Sequence, residues 1–237
     1  MTSMVSLNTR SMRSKVHQIF PYLEDNNINV FFAQESWLRK CDGAILKKIR
    51  EYGFKIFSER KPRQLDWGGG VATFYQSNLN IKSIELSVYQ SFESVACKVL
   101  SSHGVICIVN IYRPGYSSKH RFTINQFLLE FRSFLEDLVL LPYPVMMLGD
   151  MNIHVELLSN ANTLSDTNLI KRNNALDFTS LLSDFNFKIV INTPTHEAGG
   201  MLDARWMLAL LITFPSNSFL ILSLYKMTTN THIYIET

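Results

Sequence analysis

Apolar residues along this chain fall into two rhythms. Short runs, rich in β-branched and aromatic side chains, occur at residues 4–7, 30–33, 54–57, 71–75, 81–86, 95–100, 105–111 and 145–148, and read as strands. Between them lie stretches with helical spacing. Val16, Ile19, Phe20 and Leu23 share one face, although Pro21 limits how regular that helix is. Residues 44–52 form a second amphipathic stretch with Ile45, Leu46 and Ile49 together. Phe127, Phe131, Phe134, Leu135 and Leu138 make the clearest stripe in the protein, and residues 172–182 suit another helix. Helices separated by consecutive strands predict an α/β protein with mixed sheets rather than a doubly wound parallel sheet.

Several strand-like runs end on polar side chains. Val145-Met146-Met147-Leu148, entered through Pro142 and Pro144, leads into Gly149-Asp150-Met151-Asn152. There Gly149 suits a tight turn, and a carboxylate and a carboxamide stand two residues apart. One can take or orient a proton while the other holds a water or a phosphate oxygen, as hydrolysis requires. The same pair equally suits a turn in which Asp150 and Asn152 cap backbone groups. Residues 4–7 lead into Asn8, residues 30–33 into Gln34-Glu35-Ser36-Trp37, and residues 105–111 into Tyr112-Arg113-Pro114. Singly, Asn8 reads as a turn former, Glu35 as an acid at a helix N-terminus and Tyr112 as an edge residue with its hydroxyl in water. Together they are the polar strand ends that packed α/β proteins gather at functional loops.

Composition narrows the picture only a little. With 46% hydrophobic and 18% charged residues, the 237-residue chain can build one large core, and nothing marks disorder, repeats or a linker. A net charge of +3 permits nucleic-acid binding without arguing for it. Lys47-Lys48 with Arg50, and Arg60-Lys61 with Arg63, are the local basic groups that suit phosphate contact or a solvated surface. Cys97 and Cys107 lie in apolar runs and Cys41 near a turn, with no spacing that suggests zinc. The odd cysteine count and the absence of a basic start followed by a long apolar run point to a nuclear or cytoplasmic protein. His17, His103, His120, His154 and His196 carry no metal-ligand spacing.

The series Asn8, Gln34-Glu35, Tyr112-Arg113-Pro114, Gly149-Asp150-Met151-Asn152 and Leu202-Asp203 resembles the endonuclease/exonuclease/phosphatase superfamily. That superfamily includes deoxyribonuclease I, the abasic-site endonucleases and the inositol phosphate phosphatases. Ser6 to Ser11, Gln34 to Leu38, Gly68-Gly69-Gly70-Val71-Ala72, Gly149 to His154 and Thr193-Pro194-Thr195-His196 look most like the endonuclease domain of LINE-type non-LTR retrotransposons. The resemblance covers residues 4–203. It implies a four-layer α/β sandwich, two packed mixed β-sheets flanked by helices, and phosphodiester hydrolysis with magnesium, or manganese in its place. It implies Glu35 with Asn8 as metal ligands, Asp150 and Asn152 handling the attacking water, and Tyr112 donating to the phosphate. Asp203 would orient a histidine, and Arg113 would pack or pair beside the site. DNA is the implied partner, with no membrane and no stable protein partner expected.

The likeness stops after Asp203. It predicts a domain over residues 1–203 and a divergent apolar tail, residues 204–237, in place of the family's last strands. No Ser-Asp-His, the family's closing motif, occurs. Ala204-Arg205-Trp206 stands where an apolar strand belongs, and the apolar segment 207–225 is broken by Pro215-Ser216-Asn217-Ser218. Its length suffices for a membrane span, but the break favours two short strands. A frameshifted or mis-spliced tail is a further reading. His232, 29 positions beyond Asp203 and followed by a strand-like triplet, is either a stand-in for the missing histidine or an exposed terminal residue. Three functions stay open: a DNA-nicking endonuclease, an impaired remnant with residual nucleic-acid binding, and a phosphatase of the same superfamily.

Overall fold

The computed structural model describes residues 2–39, 41–60, 68–101, 104–115, 120–158, 165–189, 210–211, 222–227 and 230–235. β1 (Thr2–Asn8), α1 (Val16–Asp25) and β2 (Val30–Gln34) form a strand–helix–strand unit with parallel strands. α2 (Gly43–Glu51) follows, then β3 (Phe54–Glu59), β4 (Val71–Gln76), β5 (Ile81–Ile84) and β6 (Glu93–Ser101). β7 (Gly104–Tyr112), α3 (Ile124–Val139) and β8 (Val145–Asp150) repeat the parallel strand–helix–strand arrangement. A 3-10 turn at Val155–Leu158 leads to α4 (Asp166–Asp184), β9 (Lys188–Ile189), β10 (Leu210–Leu211), β11 (Leu222–Met227) and β12 (Asn230–Ile235).

Among the described residues the strands form two six-stranded sheets, ordered β11-β12-β1-β2-β4-β3 and β5-β6-β7-β8-β10-β9. The mixed sheets expected from the element order, and the two-sheet sandwich that the resemblance implied, are therefore present. β10 lies within the apolar segment 207–225 and β11 begins in it, and no helix among the described residues is long and apolar enough to cross a membrane.

Strand alternation sorts the side chains into three apolar layers. Met4, Val30, Phe32, Ile106, Ile108, Met146 and Leu148 point between the sheets. Their neighbours Val5, Phe31 and Ala33 face α1 and α2, where they meet Val16, Phe20, Leu23 and Ile49. Cys107, Val109, Ile111, Val145 and Met147 face α3 and α4. There Phe127, Phe131 and Phe134 are fully buried, and Phe92 meets each of them edge to face at 5.1–6.0 Å. Burying each of those rings contributes on the order of 2–3 kcal/mol.

The helices begin and end where local chemistry dictates. Thr123 and Gln126 form a reciprocal capping box, so α3 starts before its phenylalanine stripe does. Ser165 caps α4, which therefore begins at Asp166, ahead of the stretch 172–182. α1, α2 and α4 each stop at a left-handed residue: Asn27, Gly53 and Asn186. α1 runs through Pro21 without a break.

Candidate active site

The polar strand ends of the two parallel pairs meet across the gap between the sheets. Asn8 is in register with Gln34 on the last row of β1 and β2, and Tyr112 with Asp150 on the last row of β7 and β8. The Asn8 carboxamide nitrogen donates to Glu35 Oε1 at 3.0 Å and to Asp150 Oδ2 at 2.8 Å. Those two carboxylate oxygens, one from each sheet, thus stand at most about 6 Å apart. The Tyr112 hydroxyl donates to Glu35 Oε1 at 3.3 Å. Glu35 is 9%, Tyr112 6% and Asp150 3% exposed, so carboxylates from different sheets converge at a nearly dry seam. Tyr112 is accordingly a buried central-strand residue, not an edge residue with its hydroxyl in water.

Glu35 is held in the left-handed region (φ +48°) by hydrogen bonds on both sides of the turn. Ser11 N–H donates to the Glu35 carbonyl at 2.8 Å, and the Thr9 hydroxyl donates to the carbonyls of Gln34 and Glu35 at 3.0 and 3.1 Å. From the other side, Ser36 and Trp37 donate their N–H groups to the carbonyls of Gly70 and Gly69 at 2.9 and 3.0 Å. Gly70 N–H in turn donates to Glu93 Oε2 at 2.6 Å, a buried acid that ties this loop to the second sheet. A non-glycine residue at positive φ costs of order 1–3 kcal/mol, which this density of bonds sustains.

Asp150 is fixed differently. Gly149 does not form the turn expected of it; it lies inside β8 at φ +147°, where a Cβ would sit 1.8 Å from the Ile111 carbonyl oxygen. Only glycine permits β7 and β8 to run this close immediately before Asp150. Beyond it, Asn152 N–H donates to Asp150 Oδ1 at 3.1 Å, and the Asn152 carboxamide donates to the Arg113 carbonyl at 2.6 Å. The capping geometry and the convergent site therefore coexist. Arg113 packs beside the site, as the resemblance implied. Its guanidinium lies 4.8 Å from the Phe127 ring and donates to the carbonyls of Met151 and Asn152 at 3.0 and 3.3 Å. Burial lowers that guanidinium to about 10, while Asp150 pulls it back up.

Asn8, Glu35, Tyr112 and Asp150 are thus brought together, and Asn152 adjoins them with its amide turned toward Arg113. Asp203 lies outside the described residues, as do Lys61, Arg63, His103 and His196. The backbone of His232 pairs with Val5, three rows along β1 from Asn8, about 10 Å at strand spacing. Arg60 bonds to the carbonyls of Gly68 and Trp37, whereas Lys47, Lys48 and Arg50 are exposed on α2. Sequence reasoning missed Ser6, Asn110 and Glu93. Asn110 carried a signal: it interrupts an otherwise apolar run, and a polar residue inside a buried strand needs partners.

Among the described residues no three His, Cys, Asp or Glu side chains cluster as metal ligands. The donor set at the seam is oxygen-based, with two carboxylates. That fits magnesium, which commonly takes only one or two and keeps several waters. Asn8 presents nitrogen to both carboxylates while its oxygen accepts from Arg10 N–H at 3.2 Å. Serving as a ligand would require that amide to turn over.

No family model matches the sequence, and no curated protein matches it. Solved structures do resemble it. An AP endonuclease from Archaeoglobus fulgidus aligns over 100% of both chains with a TM-score of 0.66 and 16% identity. The endonuclease domain of TRAS1, a telomere-specific non-LTR retrotransposon, aligns over 99% of this chain and 98% of its own with a TM-score of 0.67 and 10% identity. The 3' phosphatase NExo from Neisseria gives 0.62 and 14% over 100% of both. The chain has the two-sheet α/β sandwich fold of the endonuclease/exonuclease/phosphatase proteins.

Proposed function

We propose that the protein hydrolyses phosphodiester bonds with a divalent cation, and that it is a DNA-nicking endonuclease of retrotransposon type. The observation that carries this is the Asn8 amide bridging Glu35 and Asp150 where the ends of both parallel strand pairs meet, with the Tyr112 hydroxyl on the same glutamate. The likeness to the TRAS1 domain supports the retrotransposon reading, and likeness to DNA-acting enzymes supports DNA as substrate.

Magnesium held by Glu35, with Asn8 beside it once its amide turns over, would supply charge neutralisation at the phosphate and at the leaving oxygen. Asp150, oriented by Asn8 and by Asn152 N–H, accepts the proton of the attacking water. The Tyr112 hydroxyl, released from Glu35, donates to a phosphate oxygen as charge builds there. The Asn152 carboxamide reaches that phosphate by swinging away from the Arg113 carbonyl.

A second reading is an impaired remnant that keeps the fold and residual DNA binding. It is favoured by the absence of a Ser-Asp-His motif and by the register of His232, three rows from Asn8. Supercoiled-plasmid nicking by purified protein, with magnesium and with excess chelator, decides between them. We expect magnesium-dependent nicking, reduced at least about a hundredfold in Asp150→Ala, as for loss of a positioned base. In Glu35→Ala the magnesium midpoint should rise and the rate fall. Equal nicking by both variants would remove these residues from the mechanism. No nicking by folded protein, with phosphate released from inositol phosphates instead, would favour a phosphatase.

A further inference from the structure

One row beneath the seam, a set of buried polar side chains crosses from sheet to sheet. Asn110 on β7 is fully buried, and its two amide hydrogens point at the other sheet: Nδ2 donates to the Ala72 carbonyl of β4 at 3.0 Å and the Ala33 carbonyl of β2 at 3.3 Å. Its Oδ1 accepts from Gln34 Nε2 at 2.6 Å, and the same Gln34 amide donates to the Ser6 hydroxyl of β1 at 3.0 Å. Turning the Asn110 amide over would set its oxygen against two carbonyl oxygens and its nitrogen against the Gln34 donor. The orientation is therefore dictated by its neighbours. Farther from the site this layer is mainly apolar, from Met4 and Phe32 to Ile108 and Leu148, with Thr73 beside Phe32 as a buried polar side chain.

The position of this tie is what gives it meaning. Asn110 stands two residues before Tyr112 on the same face of β7, in register with Leu148, which is two residues before Asp150. Gln34 immediately precedes Glu35, and Ser6 stands two residues before Asn8. Each side chain of the tie is thus one or two residues from a site residue. Apolar side chains alone tolerate sliding between sheets, since dispersion contacts have no fixed direction, whereas the three N–H···O bonds that cross the gap fix separation and register. We infer that Asn110 is a positioning residue, which sets the gap across which Asn8 joins Glu35 to Asp150. This inference rests on the hydrolytic reading above for its kinetic arm only.

Two variants test it: Asn110→Leu, which leaves Gln34 without its partner, and the double variant Gln34→Met with Asn110→Leu. The double replaces both partners of the Gln34–Asn110 bond with apolar groups of similar volume, which costs less than leaving one amide unpaired, although Ser6 and the Ala33 and Ala72 carbonyls still lose a donor. In folded protein kcat should fall roughly tenfold to a hundredfold in both variants, with KM within about threefold, as misplacement by about 1 Å produces. A merely structural role predicts that the double regains wild-type kcat along with wild-type melting, and that result overturns the inference. If only the double folds, it decides alone; if neither folds, Asn110 is a folding requirement and the inference fails. Terbium luminescence sensitised by Tyr112 reads the same geometry without turnover. Wild type should bind, Glu35→Gln should abolish binding, and the double should weaken it about tenfold, as loss of groups that orient metal ligands does. Should wild type cleave no phosphodiester, the functional reading falls while the terbium arm still judges Asn110. Unchanged terbium affinity in the double, or no binding by wild type, overturns it.

Discussion

Replacing Gly149 by alanine puts a single methyl group between the two strands that deliver Tyr112 and Asp150. At the present backbone its Cβ lies 1.8 Å from the Ile111 carbonyl oxygen, 2.8 Å from the carbonyl carbon and 3.0 Å from the Ile111 nitrogen. All three obstacles are backbone atoms of a fully buried residue in the central strand pair, so no side chain can swing aside. To restore even a 3.0 Å contact, β7 and β8 must separate by about 1.2 Å at that row. Overpacking of a dense core costs about 1–3 kcal/mol, and forcing alanine to φ +147° adds roughly 1–3 more. The expected loss of about 2–6 kcal/mol is a large share of the 5–15 kcal/mol typical of a folded domain. Urea unfolding followed by tryptophan fluorescence reads it as a midpoint lower by about 1 M or more at constant slope. Turnover below the midpoint should fall about a hundredfold, because the next row carries Tyr112 and Asp150. A variant with the wild-type midpoint and wild-type turnover would refute the close approach.

Two further expectations concern groups away from the seam. Burial pushes the Cys97 thiol far above its usual range and raises Cys107 to about 12, while Cys41 is exposed. A chromogenic disulfide reagent near pH 8 should therefore titrate one thiol rapidly in the native protein and three in urea; two fast thiols would contradict the packing of β6 and β7. Tyr89 is raised to about 12, first by burial and then by its 3.0 Å hydrogen bond to the Asp137 carboxylate. A folded-state value above the ordinary 10.0 means that its stabilising share is complete below pH 10 and lost as pH climbs toward 12. Tyr89→Phe should flatten the stability loss in that window, and an unchanged slope would remove Tyr89 from it.

The architecture was legible because strand and helix periods are strong signals here. β8 and α3 follow from Val145 to Leu148 and from the Phe127, Phe131, Phe134 spacing, as those patterns bury on one side only. Element ends were less legible, since caps such as Ser165 act through one hydrogen bond and leave no periodic trace. At the site, Asn8, Glu35, Tyr112 and Asp150 could be named as polar residues ending apolar runs. That Asn8 bridges two acids could not, because it depends on residues 142 apart in the chain approaching to 2.8 Å. The Gly149 requirement was misread as a turn for a similar reason: a clash with Ile111 is a tertiary fact. Asn110 left a trace, a lone amide inside an apolar strand, but its partners on β2 and β4 are set by sheet packing alone.

The division of the centre between two strand–helix–strand units has a consequence for the newly made chain. β1-α1-β2 and β7-α3-β8 each carry only half of the polar groups gathered at the seam. With 142 residues between Asn8 and Asp150, synthesis at about 5–20 residues per second separates the two halves by roughly 7–30 s. Throughout that interval Asn8 and Glu35 exist without Asp150, and the seam is assembled only when the second half docks.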